Sequence, residues 1–183
     1  EVIGYSLEPP TTPSNFQASR LADRIIDLQG DVRELDQLRA AIQRYRPAVV
    51  FHLAAQSNVL HSFDQPKYTF DSNVGGTINV LEAIRTESSV RALVSITSDK
   101  CYANQEWAWG YRENDLLGGH EPYSASKAMA ELAIASYRNS FFSTDRHGER
   151  EVAVASNRAG NVIGGGDFAD FRIVPDCMRA MMA

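Results

Sequence analysis

Apolar residues follow two patterns along the chain, and each pattern predicts one kind of element. Short continuous apolar runs predict buried strands, whereas apolar residues spaced three or four apart predict helices. The predicted strands span residues 1–7, 24–31, 48–54, 91–97 and 152–156, and the predicted helices span 34–44, 66–85, 123–141 and 173 onward. Strands that alternate with helices predict an α/β fold with a doubly wound parallel sheet, covered by helices on both faces.

Local signals predict where these helices begin and end, and which face they bury. Asp31 is a candidate cap for helix 34–44, and Pro47 follows the end of that helix. The apolar face of this helix is predicted from Leu35, Leu38 and Ile42. The apolar face of helix 66–85 is predicted from Val74, Ile78, Leu81 and Ile84. Gly75 and Gly76 are predicted to permit close packing of that helix.

Polar residues with useful chemistry follow one predicted strand and begin the next helix. Ser98 and Asp99 come directly after strand 91–97, and ligands of open α/β sheets bind outside the carboxyl ends of the strands. Tyr123 and Lys127 are four positions apart and therefore share one face of their helix, where an ammonium beside the phenol favours the phenolate. Together these residues predict a redox site that could also eliminate water.

Structural roles remain open as alternatives for several of these residues. Ser98 and Asp99 could simply turn the chain, and Lys127 has an ordinary ion-pair spacing with Glu131. His52 lies within an apolar strand and is predicted to be a core histidine instead of a ligand. The other histidines, which show no ligand spacing with it, are His61, His120 and His147. The aromatic residues that could stack on a base, or pack over the site or against another subunit, are Trp107, Trp109 and Tyr111.

Composition and charge narrow the functional classes. Of the 183 residues 44% are apolar, and no run approaches the roughly 20 apolar residues that cross a bilayer, so a soluble protein is expected. The net charge of −5 disfavours a nucleic-acid partner, although Arg158 and Arg172 could form a local pocket for a diphosphate. Cys101 and Cys177 have no metal-ligand spacing, which predicts a reduced, cytoplasmic protein without a metal site.

The two ends of the sequence predict an internal fragment of a longer enzyme. A dinucleotide-binding fold of the Rossmann type places a strand, a glycine-rich turn and a helix before strand 1–7, and none of them is present. The other end stops inside an apolar helical stretch at Ala183. We therefore expect residues 1–183 to be part of one NAD(P)-binding domain, without its phosphate-binding loop and most of a C-terminal substrate domain.

Four motifs give the chain a family resemblance that covers nearly all of it. They are 97–102 (Thr-Ser-Asp-Lys-Cys-Tyr), 107–114 (Trp-Ala-Trp-Gly-Tyr-Arg-Glu-Asn), 122–127 (Pro-Tyr-Ser-Ala-Ser-Lys) and 158–167 (Arg-Ala-Gly-Asn-Val-Ile-Gly-Gly-Gly-Asp). By these motifs the chain resembles the extended short-chain dehydrogenase/reductase superfamily, and more narrowly its nucleotide-sugar 4,6-dehydratases. The Ser-Asp-Lys triplet with the tryptophan-containing insert is the more specific part of the pattern.

The resemblance implies oxidation of a nucleotide-linked hexose at C4, loss of water across C5 and C6, and reduction at C6. Tyr123 would take the O4 proton, Ser98 would hydrogen-bond the developing carbonyl, and Lys127 would lower the pKa of the tyrosine and bind the ribose. Asp99 would protonate the departing C6 hydroxyl. Lys100 matches the position of the glutamate base in related dTDP-sugar dehydratases, and it could act as a base only if burial or nearby positive charge kept it neutral.

The resemblance also implies the cofactor, the substrate contacts and the assembly. The candidate cofactor contacts are Asp31, Val32, Leu53, Ala54, Ala55, Asn73, Tyr123 and Lys127. The candidate substrate contacts are Ser98, Arg158 and Asn161. NAD is expected over NADP, because no arginine for a 2′-phosphate lies near the end of strand 1–7. A homodimer through helices 66–85 and 123–141, or a higher homo-oligomer, is expected, and the alternative that the apolar faces of these helices belong to the core of one chain stays open.

Three other functions stay open at this point. A related dehydratase acting on a GDP- or dTDP-sugar fits the same motifs, because base recognition would lie largely outside this sequence. A 4-epimerase needs the tyrosine but no elimination acid, so Asp99 and Lys100 argue against it. A dinucleotide-binding scaffold without activity would not need the complete set of Ser98, Asp99, Tyr123 and Lys127.

Overall fold

Residues 1–142 and 152–183 are described by a computed structural model, in which the chain divides into two units. The smaller unit comprises Glu1–Asp31 and Asn161–Ala183, and the larger unit comprises Val32–Gly160. His147 lies outside the described residues. In chain order the strands are β1 (Ile3–Ser6), β2 (Ile26–Gln29), β3 (Val49–His52), β4 (Ala92–Ile96) and β5 (Ala153–Asn157), and the helices are α1 (Asn15–Ala18), α2 (Leu35–Tyr45), α3 (Val59–Asp64), α4 (Pro66–Phe70), α5 (Gly76–Arg85), α6 (Pro122–Tyr137) and α7 (Ile173–Met182).

In the smaller unit, β1 and β2 form a parallel pair. Ile3 lies opposite Ile26, and the register continues to the ends of both strands. The Tyr5 hydroxyl donates a hydrogen bond to the backbone carbonyl of Asp31 (3.2 Å). A side chain on Gly30 would collide with the Tyr5 ring, because its Cβ would lie 2.3 Å from the ring carbon Cζ. The glycine after β2 therefore allows the ring to lie against the backbone.

In the larger unit, the three strands are parallel and lie in the order β3-β4-β5. Paired residues of neighbouring strands project from the same face, so His52, Ser95 and Ser156 share one face of the sheet. Helices α5 and α6 cover this face, because His52 and Ser156 form hydrogen bonds to side chains of these two helices. The opposite face of β3 carries Val49 and Phe51, which are 47% and 64% exposed.

The α/β class with parallel strands is confirmed: β1 to β4 are shorter than the predicted strands that contain them, and β5 is shifted by one residue from the predicted strand 152–156. The predicted cap of α2 is wrong. This helix begins at Leu35, so its N-cap is Glu34, whose side chain forms no capping hydrogen bond, and Asp31 lies too early in the chain to cap it. The end of α2 is as predicted: Arg46 takes a left-handed conformation (φ 47°) before Pro47, because the proline ring disfavours a helical residue before it.

The predicted helix 66–85 is continuous but contains a π turn at Asp71–Gly75, between α4 and α5. Its buried face differs from the prediction at Ile78, which is 37% exposed, whereas Leu81 and Ile84 are fully buried as expected. Thr77 takes the place on this face because its hydroxyl contacts His52. Close packing is confirmed at Gly76, where a Cβ would lie 2.8 Å from Val32, but nothing lies near Gly75.

Among the described residues, no helix is both long enough and apolar enough to span a membrane. The sequence pattern did not predict α1 and α3, which are short helices capped by Ser14 and Asn58. Cys101 is buried and Cys177 exposed, and neither forms a disulfide. Burial raises the pKa of the Cys101 thiol to about 11, so this side chain is an inert part of the core.

Candidate active site

The turn after β4 presents three polar residues in sequence. Ser98 is extended and buried, and its Oγ accepts a hydrogen bond from the Lys100 amide (3.2 Å) and donates one to Asp99 Oδ1 (3.1 Å). Residues Asp99–Cys101 form a single 3₁₀ turn. The Asp99 amide donates to the Ala159 carbonyl beyond β5 (3.0 Å), which holds the turn against the neighbouring strand. A Cβ on Gly160 would lie 3.5 Å from Asp99 Oδ2, so a small residue faces the carboxylate.

Asp99 and Lys100 form an exposed ion pair. Their side chains are 52% and 41% exposed, and Lys100 Nζ lies 3.6 Å from Asp99 Oδ1. The two conditions expected to keep Lys100 neutral, burial and nearby positive charge, are therefore not met by its described neighbours. Asp99 is therefore the described partner with which Lys100 can exchange a proton.

The first turn of α6 holds Tyr123 through a glutamate cap. Pro122 is the first residue of the helix, and the Glu121 carboxylate accepts hydrogen bonds from the amides of Tyr123 (2.7 Å) and Ser124 (2.9 Å). The same carboxylate accepts a hydrogen bond from Ser62 Oγ of α3 (3.2 Å). These contacts fix the backbone from which the Tyr123 side chain projects, and that side chain is buried.

Lys127 joins the same helix to the end of β4. Its side chain is buried, and its Nζ donates to the Ile96 carbonyl (3.3 Å), two residues before Ser98. Burial lowers the pKa of Lys127 to about 8. Tyr123 and Lys127 are both buried, as expected of two residues that share one face of the helix. The contact with Ile96 brings Lys127 to the strand end that is followed by the Ser98 turn.

Asn73, at the centre of the π turn, connects the segment after β3 to this helix. Its Oδ1 accepts from the Gln56 amide (2.8 Å), and its Nδ2 donates to the Gln56 carbonyl (3.0 Å) and to Ser126 Oγ (2.8 Å). Ser126 Oγ in turn donates to the Tyr123 carbonyl (2.6 Å). Asn73 is only 2% exposed, so its described contacts give it a positioning role, and its contact with a cofactor stays a prediction.

The remaining candidate contacts lie in different places. Leu53, directly after β3, is 68% exposed, and Ala54 and Ala55 are partly exposed beside it. The backbone of Val32 is held by Asn79, whose Nδ2 donates to the Val32 carbonyl (2.9 Å). The two candidates that belong to the smaller unit are Asp31 and Asn161.

A buried ionic network was missed by the sequence analysis. Glu131 does not pair with Lys127 among the described contacts: its carboxylate accepts from Arg158 Nη2 (2.9 Å), Thr97 Oγ1 (2.5 Å) and Ser156 Oγ (3.0 Å). The sequence did contain a signal for this network. Thr97 and Ser156 are polar residues near the ends of two predicted strands, where buried hydroxyl groups need hydrogen-bond partners.

The guanidinium of Arg158 is mostly buried and hydrogen-bonded to other residues of the chain, whereas a diphosphate site would need it to be available to a ligand. Besides Glu131 it contacts the insert after the Ser98 turn, where its Nη1 donates to the Glu113 carbonyl (2.9 Å) and its guanidinium lies 4.9 Å from the centre of the Tyr102 ring. Burial alone would lower the pKa of Arg158, but the hydrogen bond and charge of Glu131 outweigh burial and leave this pKa above its ordinary value.

The aromatic residues of the insert stack on one another. The rings of Tyr102 and Tyr111 are stacked at 16° with their centres 5.0 Å apart, and the ring centre of Trp107 lies 5.2 Å from those of both Trp109 and Tyr111. Of these rings, Trp109 is the most exposed, at 65%. The insert therefore forms a small aromatic cluster of its own beside Arg158.

A cleft of about 1180 Å³ opens on the larger unit. Its walls include Asp99, Lys100, Glu131 and Arg158 but not Tyr123 or Lys127. Among residues 1–142 and 152–183, no group of three His, Cys, Asp or Glu side chains is arranged to hold a metal ion.

Comparison with known proteins gives this site a family context. A family model described as GDP-mannose 4,6 dehydratase matches residues 12–145. The CDP-glucose 4,6-dehydratase of Salmonella typhimurium is 49% identical over 98% of this chain and 50% of its own length, and the UDP-glucose 4-epimerase of Mycolicibacterium smegmatis is 28% identical over 99% of this chain and 64% of its own length. The chain thus spans about half of the first of these relatives.

The fold is shared with solved structures. A dTDP-glucose 4,6-dehydratase from Streptomyces venezuelae, solved with NAD bound, superimposes with a TM-score of 0.82 at 22% identity, covering all of this chain and 52% of the other. This likeness confirms the predicted Rossmann-type fold.

Proposed function

We propose that this chain, which belongs to the GDP-mannose 4,6 dehydratase family, carries the catalytic residues of a nucleotide-sugar 4,6-dehydratase whose substrate is CDP-D-glucose. The observation that carries the proposal is the contact of Lys127 with the Ile96 carbonyl, because it brings the Tyr123 helix to the strand end that bears Ser98 and Asp99. On this basis we propose that the oxidation pair and the elimination acid act in one site. The choice of CDP-glucose is supported by the 49% identity to an enzyme of that name.

We propose NAD as the cofactor, as in the Streptomyces venezuelae structure. Lys127 fits this group, since its buried amine has one described acceptor and two further N–H donors for ribose hydroxyls. The other residues that would hold it are Asp31, Val32, Leu53, Ala54, Ala55, Asn73 and Tyr123. When bound, NAD takes up the C4 hydrogen with its electron pair and returns it to C6.

In the oxidation step, the Tyr123 phenolate would take the proton from the O4 hydroxyl of the sugar. Lys127, as an ammonium, would favour the phenolate electrostatically. Ser98 Oγ, which now donates to Asp99, would turn its hydrogen to the developing C4 carbonyl. The resulting ketone acidifies the C5 hydrogen and prepares the sugar for elimination. Asn161 completes the proposed substrate contacts, whereas the bonds of Arg158 to Glu131 and to the Glu113 carbonyl favour a positioning role over its predicted substrate contact.

In the elimination step, the Asp99–Lys100 pair can provide both the acid and the base. The step requires that the bound sugar exclude water from this pair, because desolvation disfavours both charged forms. One proton can then pass from the Lys100 ammonium to the Asp99 carboxylate, whose atoms lie 3.6 Å apart, and leave a neutral amine and a carboxylic acid. The amine removes the C5 proton, and the acid protonates the C6 hydroxyl, which leaves as water. Both residues end the step in their original charged forms, so the pair is ready for another turnover.

The test is to incubate the full-length protein with NAD and CDP-glucose, and separately with the UDP-, GDP- and dTDP-sugars. The product expected from the NAD-dependent cycle is a 4-keto-6-deoxy sugar, which is detected by its absorbance near ~320 nm in alkali. Product from CDP-glucose supports the proposal, and product from another donor alone corrects the nucleotide. A C4-inverted sugar without keto product would assign the protein to the 4-epimerases.

Two variants separate the proposed steps. Tyr123→Phe should lower kcat about 100-fold or more, because general acid–base catalysis contributes about that much. Tyr137→Phe is the matched control, since Tyr137 lies on the same helix with its hydroxyl 3.4 Å from Glu82. Asp99→Asn should stop the elimination but still permit oxidation at C4, so it should accumulate reduced nicotinamide. Full activity in Tyr123→Phe would contradict the assignment of the base.

We also propose a homodimer that forms through helices 66–85 and 123–141. Its support is that Ile78 of α5 and Met129 of α6 are 37% and 46% exposed although these helices pack side by side. A cytoplasmic location, predicted from the unpaired cysteines Cys101 and Cys177, remains a prediction.

A further inference from the structure

We infer that the buried Glu131–Arg158 pair is a positioning unit, which holds the Ser98–Asp99–Lys100 turn in register with the helix that carries Tyr123. The inference rests on the proposed function and assigns Arg158 to this unit in place of a substrate contact. It predicts that loss of the pair impairs the elimination of water more than the oxidation at C4.

Glu131 connects the Tyr123 helix to the ends of two strands. It lies on α6 two turns after Tyr123, and its side chain is only 5% exposed. One carboxylate oxygen accepts from Thr97, the residue that immediately precedes Ser98. The other accepts from Ser156 of β5 and from Arg158. A displacement of Glu131 would therefore be transmitted directly to the backbone that begins the catalytic turn.

Arg158 holds the other side of the turn. Its guanidinium, 17% exposed, joins Glu131 to the Glu113 carbonyl and lies over the ring of Tyr102, which directly follows the 3₁₀ turn. The Asp99 amide bonds to the Ala159 carbonyl, next to Arg158 in sequence. The turn is thus held at its start by Thr97, in its middle by Ala159 and after its end by Tyr102.

Because Glu131 and Arg158 are buried charges, their side chains can take few orientations that satisfy all of their hydrogen bonds. A buried ion pair is maintained only when its remaining hydrogen-bond sites are satisfied, and removal of one partner leaves an uncompensated charge. Here Glu131 has three described donors, and Arg158 has the carboxylate, a carbonyl and an aromatic face. Replacement of Glu131 by glutamine keeps its shape but removes the charge that orients Arg158.

The two chemical steps should respond differently to such a change. Oxidation at C4 depends on Tyr123, Lys127 and Ser98, and the helix is fixed independently by Glu121 and by the contact of Lys127 with Ile96. Elimination requires in addition that Asp99 and Lys100 reach C6 and C5 of the same sugar. Small misplacement of a reacting group can lower a rate about 100-fold.

The test uses Glu131→Gln in the full-length protein with bound NAD and CDP-glucose. We expect kcat to fall about 10- to 100-fold with KM little changed. We also expect reduced nicotinamide to accumulate during turnover, visible near ~340 nm, because oxidation continues while elimination is slowed. Amide hydrogen exchange in a peptide that covers residues 97–102 should become faster. Glu82→Gln, which removes a carboxylate paired with Arg85 on α5, should change none of these.

Thr97→Val provides a second test that leaves both charges of the Glu131–Arg158 pair in place. It removes one hydrogen bond to Glu131 and conserves the side-chain shape, so it should give the same pattern to a smaller degree. The inference is overturned if exchange in residues 97–102 is unchanged in both variants, or if kcat falls without accumulation of reduced nicotinamide. If the wild type forms no keto sugar from any donor, the proposed function fails, while the exchange data still decide whether the pair positions the turn.

Discussion

At the scale of single residues, the hydrogen bonds around His52 assign its protonation state. His52 Nε2 lies 3.1 Å from Thr77 Oγ1, and that hydroxyl donates its own hydrogen to the Asn73 carbonyl (2.6 Å). Thr77 can therefore only accept from the imidazole, so the neutral ring carries its proton on Nε2. Burial, and secondly the charge of Lys127, lower the pKa of His52 to about 4. The core-histidine interpretation of the sequence is confirmed.

This buried histidine predicts a loss of stability in mild acid. The pKa of His52 is about 4 in the folded protein and 6.5 in the unfolded chain, so the unfolded chain binds more protons between these values. The stabilising contribution is complete above pH 6.5 and is lost as the pH falls towards 4, by about 3 kcal/mol in total. Urea unfolding at pH 7.5 and 4.5, followed by tryptophan fluorescence, should show this loss in the wild type.

The matched variants for this prediction are His52→Gln and His120→Gln. The first removes the buried imidazole, so its unfolding free energy should depend less on pH than that of the wild type. The second replaces an exposed histidine and should keep the pH dependence of the wild type. An equal loss between pH 7.5 and 4.5 in His52→Gln and the wild type would show that other groups cause the acid sensitivity.

Sequence patterns predicted the places of residues in the fold better than their partners. The positions of Ser98 and Asp99 after a strand, and of Tyr123 and Lys127 on a helix, could be predicted because these patterns are local, while their catalytic roles stay predictions. Glu131 could not be assigned, because its partners come from the ends of β4 and β5, and only the register of the parallel strands brings them together. The same limit applies to the bonds of Arg158 with Glu131 and the Glu113 carbonyl, while its contact with a substrate stays a prediction.

At the scale of the element, the first turn of α6 depends on an unusual cap. Serine, threonine, aspartate and asparagine are the usual N-caps, whereas here the longer Glu121 side chain bends back to accept from two amides. Glu121→Ala should lower the unfolding free energy by about 1 kcal/mol, because those amides lose their acceptor. It should also accelerate hydrogen exchange at Tyr123 and Ser124 and lower kcat.

Glu34→Ala is a close control for this cap. Glu34 occupies the equivalent N-cap position of α2, but its side chain forms no capping hydrogen bond. Its replacement should therefore change the unfolding free energy by much less. Similar losses in both variants would mean that the effect comes from the residue type at the N-cap and that the Glu121 hydrogen bonds contribute little.

Element boundaries were predictable where backbone chemistry alone decides them, as at Pro47 after α2. The buried face of α5 was not, because a polar residue, Thr77, occupies it and a π turn at Asp71–Gly75 precedes it. A π turn has more residues per turn than an α-helix, so a single helical period cannot run through it. Its side-chain contacts, those of Asn73 above all, come from distant parts of the chain.

At the scale of the whole molecule, exposed apolar residues on covered helices indicate where a second copy would bind. Met129 belongs to α6, whose opposite face is buried against the sheet and α5, yet 46% of Met129 is exposed. Ile78 of the adjacent α5 adds a second exposed apolar side chain. Burial of such residues in a symmetric interface would remove this apolar surface from water.

Met129→Arg should therefore convert the proposed dimer to a monomer, because a dimer would bury an unpaired guanidinium at its interface. Analytical ultracentrifugation of the full-length protein measures the change. Leu116→Arg is the matched control, since Leu116 is 72% exposed in the insert and on neither helix, and it should leave the dimer intact. A Met129→Arg protein that remains dimeric would exclude this face of α6 from the interface, whereas a wild type that sediments as a monomer would contradict the dimer itself.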